Sequence, residues 1–141
     1  MTAEPYHRLV IPNQLSEVRK MSDWLNAITR AMDMPEEIVF KFDLCANEAV
    51  TNIISYAYPE DGPHEIALSL RLEGDMLILE IEDDGMSFNP LDRWPHVQPE
   101  SVEKAEIGGL GIDLIRKFMD ECRYDRQDGK NILQIMANTT R

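Results

Sequence analysis

The spacing of hydrophobic residues changes period along the chain, and the changes mark its elements. Tyr6 to Ile11 is a short apolar run stopped by Pro12, which reads as a strand, with Asn13 as the cap of a helix beyond it. Leu15, Val18, Met21, Leu25, Ile28 and Met32 then recur at helical spacing, so Asn13–Met32 is expected to be an amphipathic helix with Trp24 on or near its buried side. Asp33-Met34-Pro35-Glu36-Glu37 gives a new start: a cap, a proline in the first turn, and acids where the helix dipole favours them. This second helix runs to Tyr58 and ends at Pro59-Glu60-Asp61-Gly62-Pro63, which cannot continue it.

Beyond that breaker the period becomes two. Ile66, Leu68, Leu70 and Leu72 alternate along one strand, Glu73-Gly74-Asp75 turns, and Leu77, Leu79 and Ile81 alternate along the next. From Met86 to Ile107 there is no clean period and there are three prolines, Pro90, Pro95 and Pro99; a segment of that length is usually functional or mobile. Gly108-Gly109-Leu110-Gly111 leads into a helix carrying Ile112, Leu114, Ile115, Phe118 and Met119, ending near Glu121. A second hairpin closes the pattern, Arg123–Gln127 and Asn131–Ala137 about a turn at Asp128-Gly129. The order βααββ, long loop, αββ describes a single α+β domain over residues 1–141, one sheet with helices packed on one face.

The second helix has an unusual polar side. Cys45, Ala46, Ala49, Val50, Ile53, Ile54 and Ala57 share a broad apolar face, while Asn47, Glu48, Thr51, Asn52 and Ser55 form the opposite stripe, with one charge among them. A solvated face is normally filled with Lys, Arg and Glu, and short amides and hydroxyls compete with the helix for backbone hydrogen bonds. Glu48 and Asn52, four apart, put a carboxylate beside a neutral oxygen donor, a pair able to hold a proton acceptor and a hard cation together. For this helix alone, a polar packing seam and a site are both open readings.

Composition narrows the partners. The formal net charge of −12 argues against nonspecific binding to nucleic acid or to anionic membranes, since phosphate binding needs clustered Lys and Arg. Cys45 and Cys122 have apolar neighbours and no CxxC spacing, so they read as core residues in a reducing compartment, with a disulfide between them left open. His7, His64 and His96 lack ligand spacing, and no zinc site is expected. No leader-like segment and no run of about 18 apolar residues is present, so the expected setting is the cytoplasm.

Three segments converge on one chemistry. Glu48 and Asn52 lie on a helix. Asp83 with Gly85 ends a strand, where a carboxylate accepts from an amino group and a glycine lets a flat ring approach the backbone. Gly108, Gly109 and Gly111 open a helix whose free N–H groups favour phosphate. Singly these are a helix seam, a turn and a tight loop; together they describe a nucleotide with its base on Asp83, phosphates at the glycines and metal at Asn52. No glycine run is followed by Lys-Ser or Lys-Thr, so a Walker A loop is absent.

Glu48-Ala49-Val50-Thr51-Asn52 with Tyr56-Ala57-Tyr58 resembles the N box of the GHKL ATPases, Asp83-Asp84-Gly85-Met86-Ser87-Phe88 resembles their DxG box, and Gly108-Gly109-Leu110-Gly111-Ile112 their second glycine box. More narrowly, the DxGxxF form and GGLGI running into Leu114-Ile115 resemble the bacterial anti-sigma factor serine/threonine kinases, over nearly the whole chain. The resemblance implies a Bergerat-type ATP-binding fold with a mixed sheet, and ATP and Mg²⁺ as cofactors. It implies that Asn52 coordinates Mg²⁺, that Glu48 orients or deprotonates the attacking hydroxyl, and that Asp83 binds the adenine amino group beside Gly85. It places phosphates on the Gly108-Gly109-Leu110-Gly111 backbone and makes residues 89–107 an ATP lid; Arg93 and Lys104 in that segment read as solvated surface charges, with a reach to phosphate as the alternative. The partners it implies are a STAS-type anti-anti-sigma factor, a sigma factor and a second copy of the chain. Two positions depart from the wider superfamily: Ser87 stands where many members have a second glycine, and Tyr56 where many carry His. The rival readings are an ATP-binding switch without kinase activity and, below it, a detached histidine-kinase ATPase domain.

Overall fold

The computed structural model describes residues 6–58, 62–86 and 110–140. Its elements are β1 (Tyr6–Pro12), a short 3-10 turn (Leu15–Glu17), α1 (Val18–Ala31), α2 (Glu36–Tyr56), β2 (Glu65–Glu73), β3 (Met76–Asp83), α3 (Leu110–Phe118), β4 (Glu121–Gln127) and β5 (Lys130–Asn138). The strands form one sheet in the order β1-β2-β3-β5-β4. Every pairing is antiparallel, where a mixed sheet was expected, because both hairpins pair with their own partners and β3 joins them by lying antiparallel to β5. No helix among the described residues is long and apolar enough to cross a membrane.

Cross-strand rows explain how the fold reaches its site. On the face toward the helices, Leu9 pairs with Leu68, Leu68 with Ile81, Ile81 with Leu133 and Leu133 with Tyr124. The buried members of this row belong to the core, together with Met21 and Leu25 of α1, Phe42, Cys45, Ala49 and Ile53 of α2, and Ile115 of α3. The next row on that face is Ile11, Ile66, Asp83, Asn131 and Arg126. Two residues further along the strands, the sheet therefore passes from aliphatic to polar, and since the side-chain period is two, both rows face the helices.

Two expected starts are used differently. Asn13 caps no helix; its backbone N–H donates to the His64 carbonyl at 3.0 Å and its side-chain oxygen accepts from His64 N–H at 3.2 Å, tying β1 to the entry of β2. Asp33 ends α1 rather than opening α2. It lies at φ 59°, and Met34 N–H reaches back to the Thr29 carbonyl while Asp33 N–H bonds that of Arg30, the paired bonds of a Schellman stop with aspartate in the left-handed place. The last turn, Asp128-Gly129, has both residues at positive φ, 52° and 78°, as a two-residue hairpin of matching twist requires. Helix α3 stops at Phe118, and Glu121 opens β4 instead of ending the helix.

Candidate functional site

Helix α2 buries Cys45, Ala46, Ala49, Val50, Ile53 and Ala57, as the apolar face required. The opposing stripe divides in two. Asn47 turns back to its own helix and donates to the Asp43 carbonyl at 2.6 Å and to Asp43 Oδ1 at 3.0 Å, and the same carboxylate oxygen accepts from Ser22 of α1. That half of the stripe is a seam between α1 and α2. Ser55 is exposed.

Glu48 and Asn52 form the other half. Glu48 is part-buried and, among the described residues, makes no hydrogen bond or ion pair; burial pushes its carboxyl above the usual carboxylate range. Its charge is felt by Cys45, whose thiol is pushed up to about 12, first by burial and then by Glu48. Cys45 and Cys122 are both free thiols. Asn52 is 4% exposed. Its amide has no hydrogen-bond partner among the described residues, yet no sealed side-chain nitrogen or oxygen there is without one, so the amide keeps an open side. An unspent amide oxygen one turn from a carboxylate suits Mg²⁺, which takes one or two protein oxygens and completes its shell with phosphate and water.

The end of β3 is organised around Asp83, 3% exposed. Its Oδ1 accepts from Gly85 N–H at 2.9 Å and from Asn131 Nδ2 at 2.9 Å. Both bonds fall on one oxygen, which leaves Oδ2 for the donor of a ligand. Burial raises the Asp83 carboxyl, while these two donors and Arg126 pull it back. Asn131 also donates to the Met86 carbonyl at 2.8 Å and accepts from Arg126 Nη1 at 3.0 Å and from the Tyr124 hydroxyl; Arg126 Nη1 further donates to the Gly85 carbonyl at 3.0 Å.

Gly85 also admits a neighbouring segment of the protein itself. A Cβ built there would stand 2.6 Å from the Ala57 carbonyl oxygen and 2.8 Å from the Ala57 Cβ. The glycine admits the end of α2, and Met86 N–H seals the contact by donating to the same carbonyl at 2.8 Å. Ala57 lies five residues beyond Asn52, about 7.5 Å along the helix, so this contact brings the two halves of the site together.

Around the corner, Tyr58 stacks on His64 with ring centroids 4.5 Å apart and donates to Asp84 Oδ1 at 3.0 Å, with His64 Nδ1 3.3 Å from the same oxygen. A cavity of about 510 Å³ opens beside this cluster, lined by Arg8, His64, Glu82, Asp84 and Lys130 among others. It touches Asp83 but neither Glu48 nor Asn52, and so adjoins the candidate site rather than forming it.

Of the glycine-box residues, Leu110 and Gly111 form the first turn of α3, and Gly108 and Gly109 lie outside the described residues, as do Ser87 and the lid residues 89–107 with Arg93 and Lys104. The sequence reading missed Asn131, Tyr124 and Arg126. One signal was available for Asn131: it occupies an inward position in register with Leu133, Ile135 and Ala137, where an unpaired amide would be costly.

Residues 11–137 match the family described as histidine kinase-like ATPase domain. A serine/threonine-protein kinase BtrW of Bordetella bronchiseptica is 33% identical over 82% of this chain and 82% of its own length. A serine-protein kinase RsbW of Bacillus subtilis is 26% identical over 90% of this chain and 82% of its own. Among solved structures, the RsbU and RsbW domains of a Mycobacterium tuberculosis protein superpose with a TM-score of 0.68 at 13% identity, covering 97% of this chain, which spans 33% of that one. A histidine kinase domain from Erythrobacter litoralis superposes with a TM-score of 0.55 at 19% identity over 92% of this chain and 62% of that one. At those identities the two structures bear on the fold alone.

Proposed function

The chain belongs to the histidine kinase-like ATPase family and, with its named relatives, to the serine/threonine-protein kinases within it; on that premise we propose an ATP- and Mg²⁺-dependent anti-sigma kinase. Its substrate is a serine or threonine of a STAS-type anti-anti-sigma protein, and its second partner is a sigma factor that it sequesters. It acts in the cytoplasm, as a homodimer. The observation that supports the site assignment is the contact of Gly85 and Met86 with Ala57, which joins the turn after Asp83 to the end of the helix bearing Glu48 and Asn52.

In this reading Asp83 Oδ2 accepts from the adenine amino group, and backbone N–H groups over residues 108–111 hold phosphate at the start of α3. Asn52 is the residue that would hold Mg²⁺, which when bound neutralises charge on the phosphates. Glu48 accepts the proton of the substrate hydroxyl as its oxygen bonds the γ-phosphorus and the bond to ADP breaks. A carboxylate raised by burial is a better base for that step than a solvated one. Little else is asked of the protein, because phosphoryl transfer depends mainly on positioning and charge stabilisation.

The test is incubation with Mg-ATP and a STAS-type protein encoded alongside this chain, read as phosphoserine or phosphothreonine, with EDTA and Asn52→Ala as controls. Transfer that EDTA and Asn52→Ala abolish is expected. Nucleotide-sensitive binding without transfer would replace the kinase by a switch, and phosphohistidine on the chain itself would move it to the histidine-kinase branch.

A further inference from the structure

Resting on the adenine role of Asp83, we propose that Asn131 is a positioning and specificity-determining residue. Its amide fixes which oxygen of Asp83 meets the base and keeps that carboxylate an acceptor, so that ATP is preferred to GTP.

An asparagine amide has two N–H donors and an oxygen with two acceptor sites. In Asn131 all four are used: Nδ2 donates to Asp83 Oδ1 at 2.9 Å and to the Met86 carbonyl at 2.8 Å, and Oδ1 accepts from Arg126 Nη1 at 3.0 Å and from the Tyr124 hydroxyl. At 3% exposure, a flipped amide would set N–H against N–H and oxygen against oxygen in a buried place. Asn131 therefore has one orientation, and with Gly85 N–H it occupies one oxygen of Asp83.

The chemical consequence concerns the sixth position of the purine. Adenine carries an amino donor there and guanine a carbonyl acceptor. An ionised carboxylate only accepts, so it takes adenine and repels guanine; a protonated one donates and tolerates both. Burial works against the ionised form of Asp83, and Asp84 beside it adds to that effect. The Asn131 amide is the strongest opposing influence, ahead of Gly85 N–H from the turn and Arg126 from β4. Tyr58, at the end of α2, is held in its neutral form by burial and by the charges of Asp83 and Asp84. Lys130 pairs with Glu82, whose neighbour along β3 is Asp83 and whose side chain points to the opposite face. Removing the Asn131 donor leaves burial opposed only by Gly85 N–H and Arg126.

The experiment measures ATP and GTP affinity by calorimetry from pH 8 to 5.5 for the whole chain, for Asn131→Leu and for Tyr124→Phe, with folding checked by circular dichroism. For wild type a clear ATP preference is expected, lost only at the acid end. Asn131→Leu should bind ATP at least about tenfold more weakly at pH 7.5, and its preference should collapse at a higher pH than in wild type, a shift that loosened packing alone would not produce. Wild-type affinity, preference and pH profile in Asn131→Leu would overturn the inference while leaving Asp83 as the adenine residue. Should Asn131→Leu fail to fold, Tyr124→Phe, which removes a donor to the Asn131 oxygen, decides: a smaller shift of the same sign upholds the proposal, and an unshifted profile overturns it. A wild type that binds neither nucleotide removes the adenine reading and this inference together.

Discussion

The two halves of the site are built on opposite plans. On α2, Glu48 and Asn52 project from a helix whose other side is buried, and among the described residues neither spends its polar atoms on the protein. At the sheet end, Asp83 is held by two donors, and the amide that holds it is itself saturated from β4 and from the turn after β3. A group that must take up a proton or a metal has to be left uncommitted, whereas a group that must recognise one base has to be fixed beforehand. The contrast matches the roles proposed for them, transfer for Glu48 and Asn52 and recognition for Asp83.

The largest effect that would break this comparison is on transfer. Glu48→Gln is expected to slow phosphoprotein formation by roughly 10²–10⁴-fold while changing ATP affinity little, as steady-state kinetics against calorimetry would reveal. An equal loss in both quantities would make Glu48 a binding residue. The sign of its pH dependence follows from burial: with the carboxyl raised, activity is present above the folded-state pKa and lost as pH falls through it, so the acid limb should lie above that of an ordinary glutamate. The same raised value means that ionised Glu48 slightly opposes folding at neutral pH, so Glu48→Gln should melt no lower than wild type.

Next in size is Gly85→Ala. The added methyl meets backbone at 2.6 Å, and the variant is expected to lose roughly 1–3 kcal/mol of stability together with ATP affinity, read by urea titration and calorimetry. A variant as stable as wild type would show that the end of α2 yields, and that the two halves are not rigidly joined. Asp83→Asn keeps the shape but sets an amide N–H or a neutral oxygen where the carboxylate was, and about a tenfold or greater loss of ATP affinity is expected with transfer per bound ATP less affected. The smallest effect belongs to the ion pair between Lys130 and Glu82, one residue from Asn131 and Asp83 but on the other face. Lys130→Ala should cost no more than about 1 kcal/mol and leave ATP affinity unchanged; a large loss would mean that the outer face also selects the base.

Much of the α2 half was legible in the sequence because a helix displays its two faces at fixed spacing. The apolar face from Cys45 to Ala57 is buried save for half-buried Ile54, Asn52 of the opposite stripe is buried with it, and a stripe of short amides was conspicuous for its lack of charge. What the spacing could not separate was Asn47, committed to Asp43, from Asn52, because that depends on where α1 lies. The sheet half was harder to read. Asp83 and Gly85 announced themselves as a strand end, but Asn131 takes its meaning from the β3–β5 register, a pairing between residues 48 apart. Gly85 stood out as necessary, but local sequence does not say that the backbone filling its empty side belongs to Ala57. The antiparallel sheet and the Asp33 stop are of the same kind, settled by what the chain meets rather than by what it is made of.

The separation of Asp83 from Asn131 also bears on the order of assembly. A ribosome delivers α2 and Asp83 well before it delivers the strand whose Asn131 bonds that aspartate, and the Asp128-Gly129 turn must then close to bring Arg126 and Tyr124 onto the amide. On the proposed assignment, selectivity for the base is the last property the growing chain acquires, after the groups assigned to phosphoryl transfer are already made.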